Sequence, residues 1–270
     1  MATATPSRRR KDPEGRMPLR EHLAELRRRV VRAGLALLLG AVAGWFLYDP
    51  VFDHLTAPIE ELRERGQDIT INFGAVATAF DLRLKMSVWI GVLVSSPVWI
   101  YQLWAFITPG LTRRERRYAL GFVATAVPLF LSGAYLASLF IPNAVAFFTS
   151  FTPEDGSNII AAQDYLGFLM RTILAFGLAF LLPVVLVALN LAGLLSGRGV
   201  LGAWRWVTVV CFTFAAIATP TPDVTAMLVL AVPMLALFAL AIGVCLLNDR
   251  RRARRSGRWG AVDDDTASPL

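Results

Sequence analysis

Charge is scarce in this sequence and unevenly spread. Only 17% of its 270 residues are Asp, Glu, Lys or Arg, where a water-soluble domain usually carries about a quarter. Cysteine and histidine number two each. Cys211 and Cys245 fall in apolar stretches, where a thiol behaves as a small hydrophobe, so neither a disulfide framework nor a cysteine metal site is expected. His22 and His54 have no partner at metal-ligand spacing. Also missing are an HExxH helix, a GxSxG elbow, a phosphate-cradling glycine loop and a spaced carboxylate pair inside an apolar run. No metal, cofactor, ATP site or enzymatic activity is therefore expected.

What the chain has in quantity is apolar length. Hydrophobic residues make up 56%, and the mean hydropathy is +0.55. Six apolar stretches stand out, at 30–47, 80–107, 118–141, 164–190, 204–219 and 224–247. A spanning helix needs about 17–25 such residues, so the expected fold is all-α and polytopic, with six transmembrane helices. The second and fourth stretches exceed one span and should tilt or reach beyond the bilayer. The fifth is short, ended by Pro220 and Pro222; a short span thins the membrane locally or draws flanking residues toward the interface.

The arginines set the orientation. With six spans, the termini share one side with the loops near 108–117 and 191–203. That side collects Arg8, Arg9, Arg10, Lys11, Arg16, Arg20, Arg27, Arg28, Arg29 and Arg32, then Arg113, Arg114, Arg116 and Arg117, and finally the cluster from Arg250 to Arg258. The opposite side has Arg63 and Arg65, with Arg83 and Lys85 near the start of the second stretch, and carries Asp49, Asp53, Glu60, Glu61, Glu64, Asp68, Glu154 and Asp155. By the positive-inside rule both termini are cytoplasmic. The net charge of +7 then marks topology and attraction to anionic lipid headgroups rather than nucleic-acid binding. Residues 1–16 are expected to be a disordered tail, 17–248 the membrane domain and 249–270 a cytoplasmic tail.

"SRRRKD" (7–12) looks like the head of an export signal, but the apolar run after it begins only near Val30 and is long enough to span. "MPLREHLAELRRRVVRA" follows, with Leu19, Leu23, Leu26 and Val30 on one face and Glu21, Glu25, Arg28 and Arg32 on the other. That pattern predicts an amphipathic surface helix that turns into the first span. The outer loop 48–79 should hold a short helix over "APIEELRERG", begun by Pro58. Pro97, Pro128, Pro183 and Pro233 predict kinks.

Few ionisable residues fall near apolar runs. Arg171 lies a third of the way along the fourth stretch. Asp223 in "ATPTPD" suits a helix N-cap. Glu25 and Glu115 sit at the cytoplasmic boundary, and two readings stand side by side. In one they pair locally, Glu25 with Arg29 four residues on and Glu115 with its adjacent arginines. In the other they grip a guanidinium from another chain, whose planar fork a carboxylate can hold bidentately as it cannot hold a lysine.

"EHLAELRRR", "FDLRLK", "SSPVWIYQLWAFITPGLTRRERR", "AFGLAFLLPVV" and "ATPTPDVTAMLVLAVPM", in this order, resemble the TatC family, the polytopic receptor subunit of the twin-arginine protein translocase. The resemblance implies a cup-shaped six-helix bundle that binds twin-arginine signal peptides of folded precursors at its cytoplasmic face. It also implies recruitment of single-span subunits of the TatA/TatB type, assembly with further copies of itself, and export driven by the proton-motive force. The positions matching the family's signal-binding residues are Glu25, Arg27, Phe106 and Glu115. Pro58, Phe80 and Asp223 match further sensitive positions on or near the outer side. Leu181 and Met227 stand where the family commonly has an acidic residue and a glutamine that contact the single-span partners; Thr225 and Gln163 are the substitutes at hand.

Two rival classes make different demands. A proton-coupled secondary transporter of a small solute requires broken helices and polar residues at mid-membrane, and the apolar runs offer almost none. An intramembrane enzyme requires paired acids, a Ser/Lys pair or a His cluster at depth, and none is present.

Overall fold

A computed structural model of the protein describes residues 19–107, 115–153, 156–218 and 224–259. In chain order its elements are α1 (Leu19–Phe46), α2 (Tyr48–Glu64), β1 (Ile69–Asn72), α3 (Thr78–Val94), α4 (Ser96–Ile107), α5 (Glu115–Thr149), β2 (Asn158–Ala161), α6 (Ala162–Leu191), α7 (Gly197–Gly202), α8 (Trp204–Ala218) and α9 (Val224–Trp259). Among the described residues, four helices are long and apolar enough to cross a membrane, over 20–46, 121–149, 162–191 and 230–254. A bent pair, α3 with α4, corresponds to the second apolar stretch, and the short α8 to the fifth.

One predicted shape needs correction and one is sharpened. The expected turn between a surface helix and the first span is absent: α1 is one helix of 28 residues, about 42 Å at 1.5 Å per residue. No proline or helix-ending glycine interrupts "EHLAELRRRVVRA", so its helix formers propagate straight into the span. The second stretch, expected to tilt or reach beyond the bilayer and to kink near Pro97, breaks at Ser95 and turns by 59°. Pro97 cannot donate to the preceding turn. The new helix starts from the Ser95 carbonyl, which accepts from the amides of Val98 (2.9 Å) and Trp99 (3.2 Å). The Trp99 indole donates back to the Val92 carbonyl at 2.9 Å, satisfying an acceptor at the end of α3.

Small residues let the helices meet backbone to backbone. A methyl group on Gly40 would lie 2.6 Å from the Gly91 carbonyl oxygen, and one on Gly44 would overlap the Ser87 carbonyl. α1 and α3 therefore pack through the four-residue glycine spacing that suits close crossings in lipid, where no hydrophobic drive separates helix from solvent. α5 and α6 repeat the device with glycines facing aromatics. Gly177 receives the Phe130 ring, and Gly133 lies against Phe180 and the Phe176 carbonyl.

One end of the bundle carries a cap. α2 begins at Tyr48, ten residues before Pro58, so Pro58 is a buried interior residue and not the helix start. β1 and β2 form a two-stranded parallel sheet, Ile69 opposite Asn158 and Asn72 opposite Ala161, closed by the excursion through α3, α4 and α5. The Tyr165 hydroxyl donates to the Leu55 carbonyl at 2.8 Å, fastening α6 under α2.

The opposite end is tied by Asn190, which is 1% exposed. Its amide donates to the Leu195 carbonyl and to Asp249 Oδ1, each at 2.9 Å. Its oxygen accepts from Asn248 at 3.0 Å. Asp249 Oδ2 accepts from the Gly197 amide at 2.7 Å, so one carboxylate joins α9 to the start of α7 and the end of α6.

Two outcomes follow from this packing. Gly44→Leu should lower the melting temperature of the detergent-purified protein, by overpacking that costs about 1–3 kcal/mol or more. Gly34→Leu, at a glycine with no neighbour within 4 Å, should leave it nearly unchanged. Asn190→Leu strips partners from buried polar groups, a loss of about 1–3 kcal/mol, and should lower the same melting temperature.

Candidate functional site

The first turns of α1 present His22, Glu25 and Arg29 at spacings of three and four, which places them on one helix face. The His22 ring stacks on Phe106, at the end of α4, with centroids 4.6 Å apart and planes 24° apart. The bend at Ser95 leaves α4 packed against both α1 and α5, so Phe106 closes over the start of α1.

Glu25 is held by Arg29, with 24% of the carboxylate side chain and 18% of the arginine exposed. Arg29 Nε donates to Glu25 Oε1 at 3.1 Å, and Nη2 donates to the same oxygen. Oε2 has no hydrogen-bond partner among the described residues. The local-pairing reading thus holds for Glu25 in the unliganded chain. Arg27 is exposed and lies two residues away, on a different face, so it is not brought to Glu25.

Glu115 is the first residue of α5; its side chain lies outside the described residues. Its place along the helix is set by Phe122, seven residues on, whose ring stacks on Trp104 of α4 at 4.2 Å. Glu115 therefore begins α5 about 10 Å before that contact, at the same end of the molecule as Phe106 and Glu25. The structure stacks His22 on Phe106, pairs Glu25 with Arg29 on the same face of α1, and begins α5 at the same end of the bundle.

The other expected positions lie elsewhere. Phe80, at the start of α3, is 63% exposed and meets Trp45 edge-on at 6.2 Å. Asp223 lies outside the described residues. Leu181 is buried among Ile100, Ala126, Phe130 and Val184, inside the packing of α4, α5 and α6. Met227 packs partly buried against the main core. Of the two substitutes, the Thr225 side chain lies outside the described residues, and Gln163 donates to Asp81 Oδ2 at 2.9 Å, an oxygen that also receives Lys85 at 2.6 Å. Arg171 is exposed and bends back toward the start of α6 to donate to the Gly167 carbonyl at 2.9 Å, as long cationic side chains do near an interface.

Sequence reasoning missed two constellations. One is the His22–Phe106 stack. The other is Arg83, whose guanidinium lies 4.9 Å from the Trp45 ring and 4.7 Å from the Tyr48 ring. Arg83 also meets Asp49 at 3.3 Å, tying α3 to the junction of α1 and α2. The signal was present in two aromatics and an aspartate at one predicted span end and an arginine at the next. No group of three or more potential metal ligands occurs among the described residues.

Comparison with known proteins agrees with this architecture. The model of the TatC family, Sec-independent protein translocase protein, matches residues 21–233. The Sec-independent protein translocase protein TatC of Xylanimonas cellulosilytica is 50% identical over 242 residues, covering 89% of this chain and 88% of that protein. The TatC of Frankia casuarinae is 41% identical, covering 95% and 74% respectively. The crystal structure of the twin-arginine translocase receptor TatC in DDM superimposes with a TM-score of 0.68 at 27% identity, over 83% of this chain and 99% of the other. An all-α chain with several apolar spans, matched along most of its length by these relatives, belongs to the TatC family of multi-pass membrane proteins, non-enzymatic components of the Sec-independent protein translocase.

Proposed function

We propose that this chain is the receptor subunit that binds the twin-arginine signal peptides of folded precursors, at a cytoplasmic face built from the start of α1, the end of α4 and the start of α5. Glu25 and Glu115 take the two guanidinium groups, and Phe106 supplies an apolar wall beside them. The observation that carries the reading is the partly buried Glu25 carboxylate, one turn from His22 of the His22–Phe106 stack, with one oxygen that accepts no hydrogen bond among the described residues. A carboxylate half-removed from water holds a guanidinium more firmly than an exposed one, and its two oxygens match the arginine fork.

In the same reading the protein lies in the inner membrane with both termini cytoplasmic. It recruits single-span subunits of the TatA/TatB type along its lipid-facing helices and assembles with further copies of itself. Phe80 and Asp223, with the α2 cap that holds Pro58, act on the outer side. The proton-motive force drives export, with no covalent step. α8, at 15 residues, spans about 22 Å where the hydrocarbon core is about 30 Å, so local thinning beside it eases passage of a folded cargo. With Leu181 packed internally, partner helices dock without a carboxylate at that position.

Binding tests the recognition. Glu25→Gln should weaken a fluorescent twin-arginine signal peptide about tenfold, the scale of one charge-assisted hydrogen bond, as should changing the peptide's arginine pair to lysines. Equal affinity for both peptides would contradict the reading. The orientation is checked with a membrane-impermeant maleimide on intact cells. Ala75→Cys should be labelled from outside and Arg254→Cys only after permeabilisation, the native Cys211 and Cys245 being buried.

A further inference from the structure

We infer that Arg29 is a built-in competitor for the signal peptide: it occupies, within the chain, the carboxylate that the incoming arginine takes. The inference rests on the receptor reading above and concerns how that site is kept when empty. Of Arg27, Arg28, Arg29 and Arg32, only Arg29 is paired with Glu25. A glutamate four residues before its basic partner is the favourable order on a helix, and the pair is less than a quarter exposed at either side chain, so water and salt screen it less than a surface pair. Both donors converge on Oε1.

That geometry separates two kinds of ligand. A ligand that needs one carboxylate oxygen can use Oε2 and leave Arg29 in place. An arginine that grips both oxygens must drive Arg29 off Oε1, exchanging one guanidinium for another. The resting site therefore never exposes an uncompensated half-buried carboxylate. The apparent affinity for a twin-arginine peptide is lowered by the fraction of time the internal pair is closed, which makes binding readily reversible, as a receptor that must hand its cargo on requires.

The test is a titration of labelled twin-arginine and twin-lysine signal peptides into the full chain in lipid nanodiscs. Arg29→Gln should tighten the twin-arginine peptide by up to about fivefold, the fold-change matching an ion pair of this class. Arg28→Gln removes the same charge from a neighbouring exposed residue not paired with Glu25 and should have a smaller effect. Arg29→Lys keeps the charge without the fork and should fall between wild type and Arg29→Gln. If Arg29→Gln weakens binding, or changes it no more than Arg28→Gln does, Arg29 positions Glu25 or merely adds charge, and the competitor is overturned. A wild type that fails to prefer the arginine pair and ignores Glu25→Gln removes the receptor reading, and this inference with it.

Discussion

The close crossing of α1 and α3 is the constraint on which the rest of the structure depends. Gly40, Gly44 and Gly91 let the two backbones touch, which anchors α1, one unbroken helix, against α3. Because α1 does not turn at the membrane surface, its first turns project beyond the span and carry His22, Glu25 and Arg29 with them. The break at Ser95 then does the complementary work. It lets the second apolar stretch follow α1 through α3 and swing across toward α5 through α4. A straight second span would leave Phe106 on a different line from His22.

Each end of the bundle is closed by one ionisable residue that gathers several elements. At the end capped by α2, Arg83 lies between two aromatic rings and a carboxylate, joining α3 to the junction of α1 and α2. At the other end Asp249 joins α9, α7 and the Asn190 knot. Between them the packing is apolar and uses small residues, as a bundle in lipid requires when van der Waals contact must replace hydrophobic drive. The polar ties described thus concentrate at the ends, and the interior holds the ends in register.

Much of this was readable in the sequence because lipid imposes a coarse rule. Apolar length locates spans almost independently of tertiary detail, so the six predicted stretches correspond to four long helices, one bent pair and one short helix. The bend itself was readable only as a proline. The break falls at Ser95, two residues before Pro97, where the Trp99 indole satisfies the Val92 carbonyl, a side-chain cap that the apolar pattern does not signal. The parallel pairing of β1 with β2 was invisible for the same reason, since three helices separate the partners. Pro58 misled because proline suits a first helical turn, yet α2 had already begun at Tyr48. At the site, Glu25 and Phe106 were named from their motifs. His22 was passed over because a lone histidine without metal-ligand spacing carries no signal, and its role comes from the ring it meets.

The most direct measurement is photocrosslinking in native membranes from a reactive residue at position 115 to a folded precursor with a twin-arginine signal. A precursor with the pair changed to lysines is run beside it, each against wild-type and Glu25→Ala backgrounds. The predicted result is an adduct that requires the arginine pair and weakens when Glu25 is removed, because the start of α5 and the start of α1 grip one ligand. Equal adducts with both precursors, or an adduct indifferent to Glu25, would contradict a shared two-carboxylate site and return both glutamates to local charge pairing.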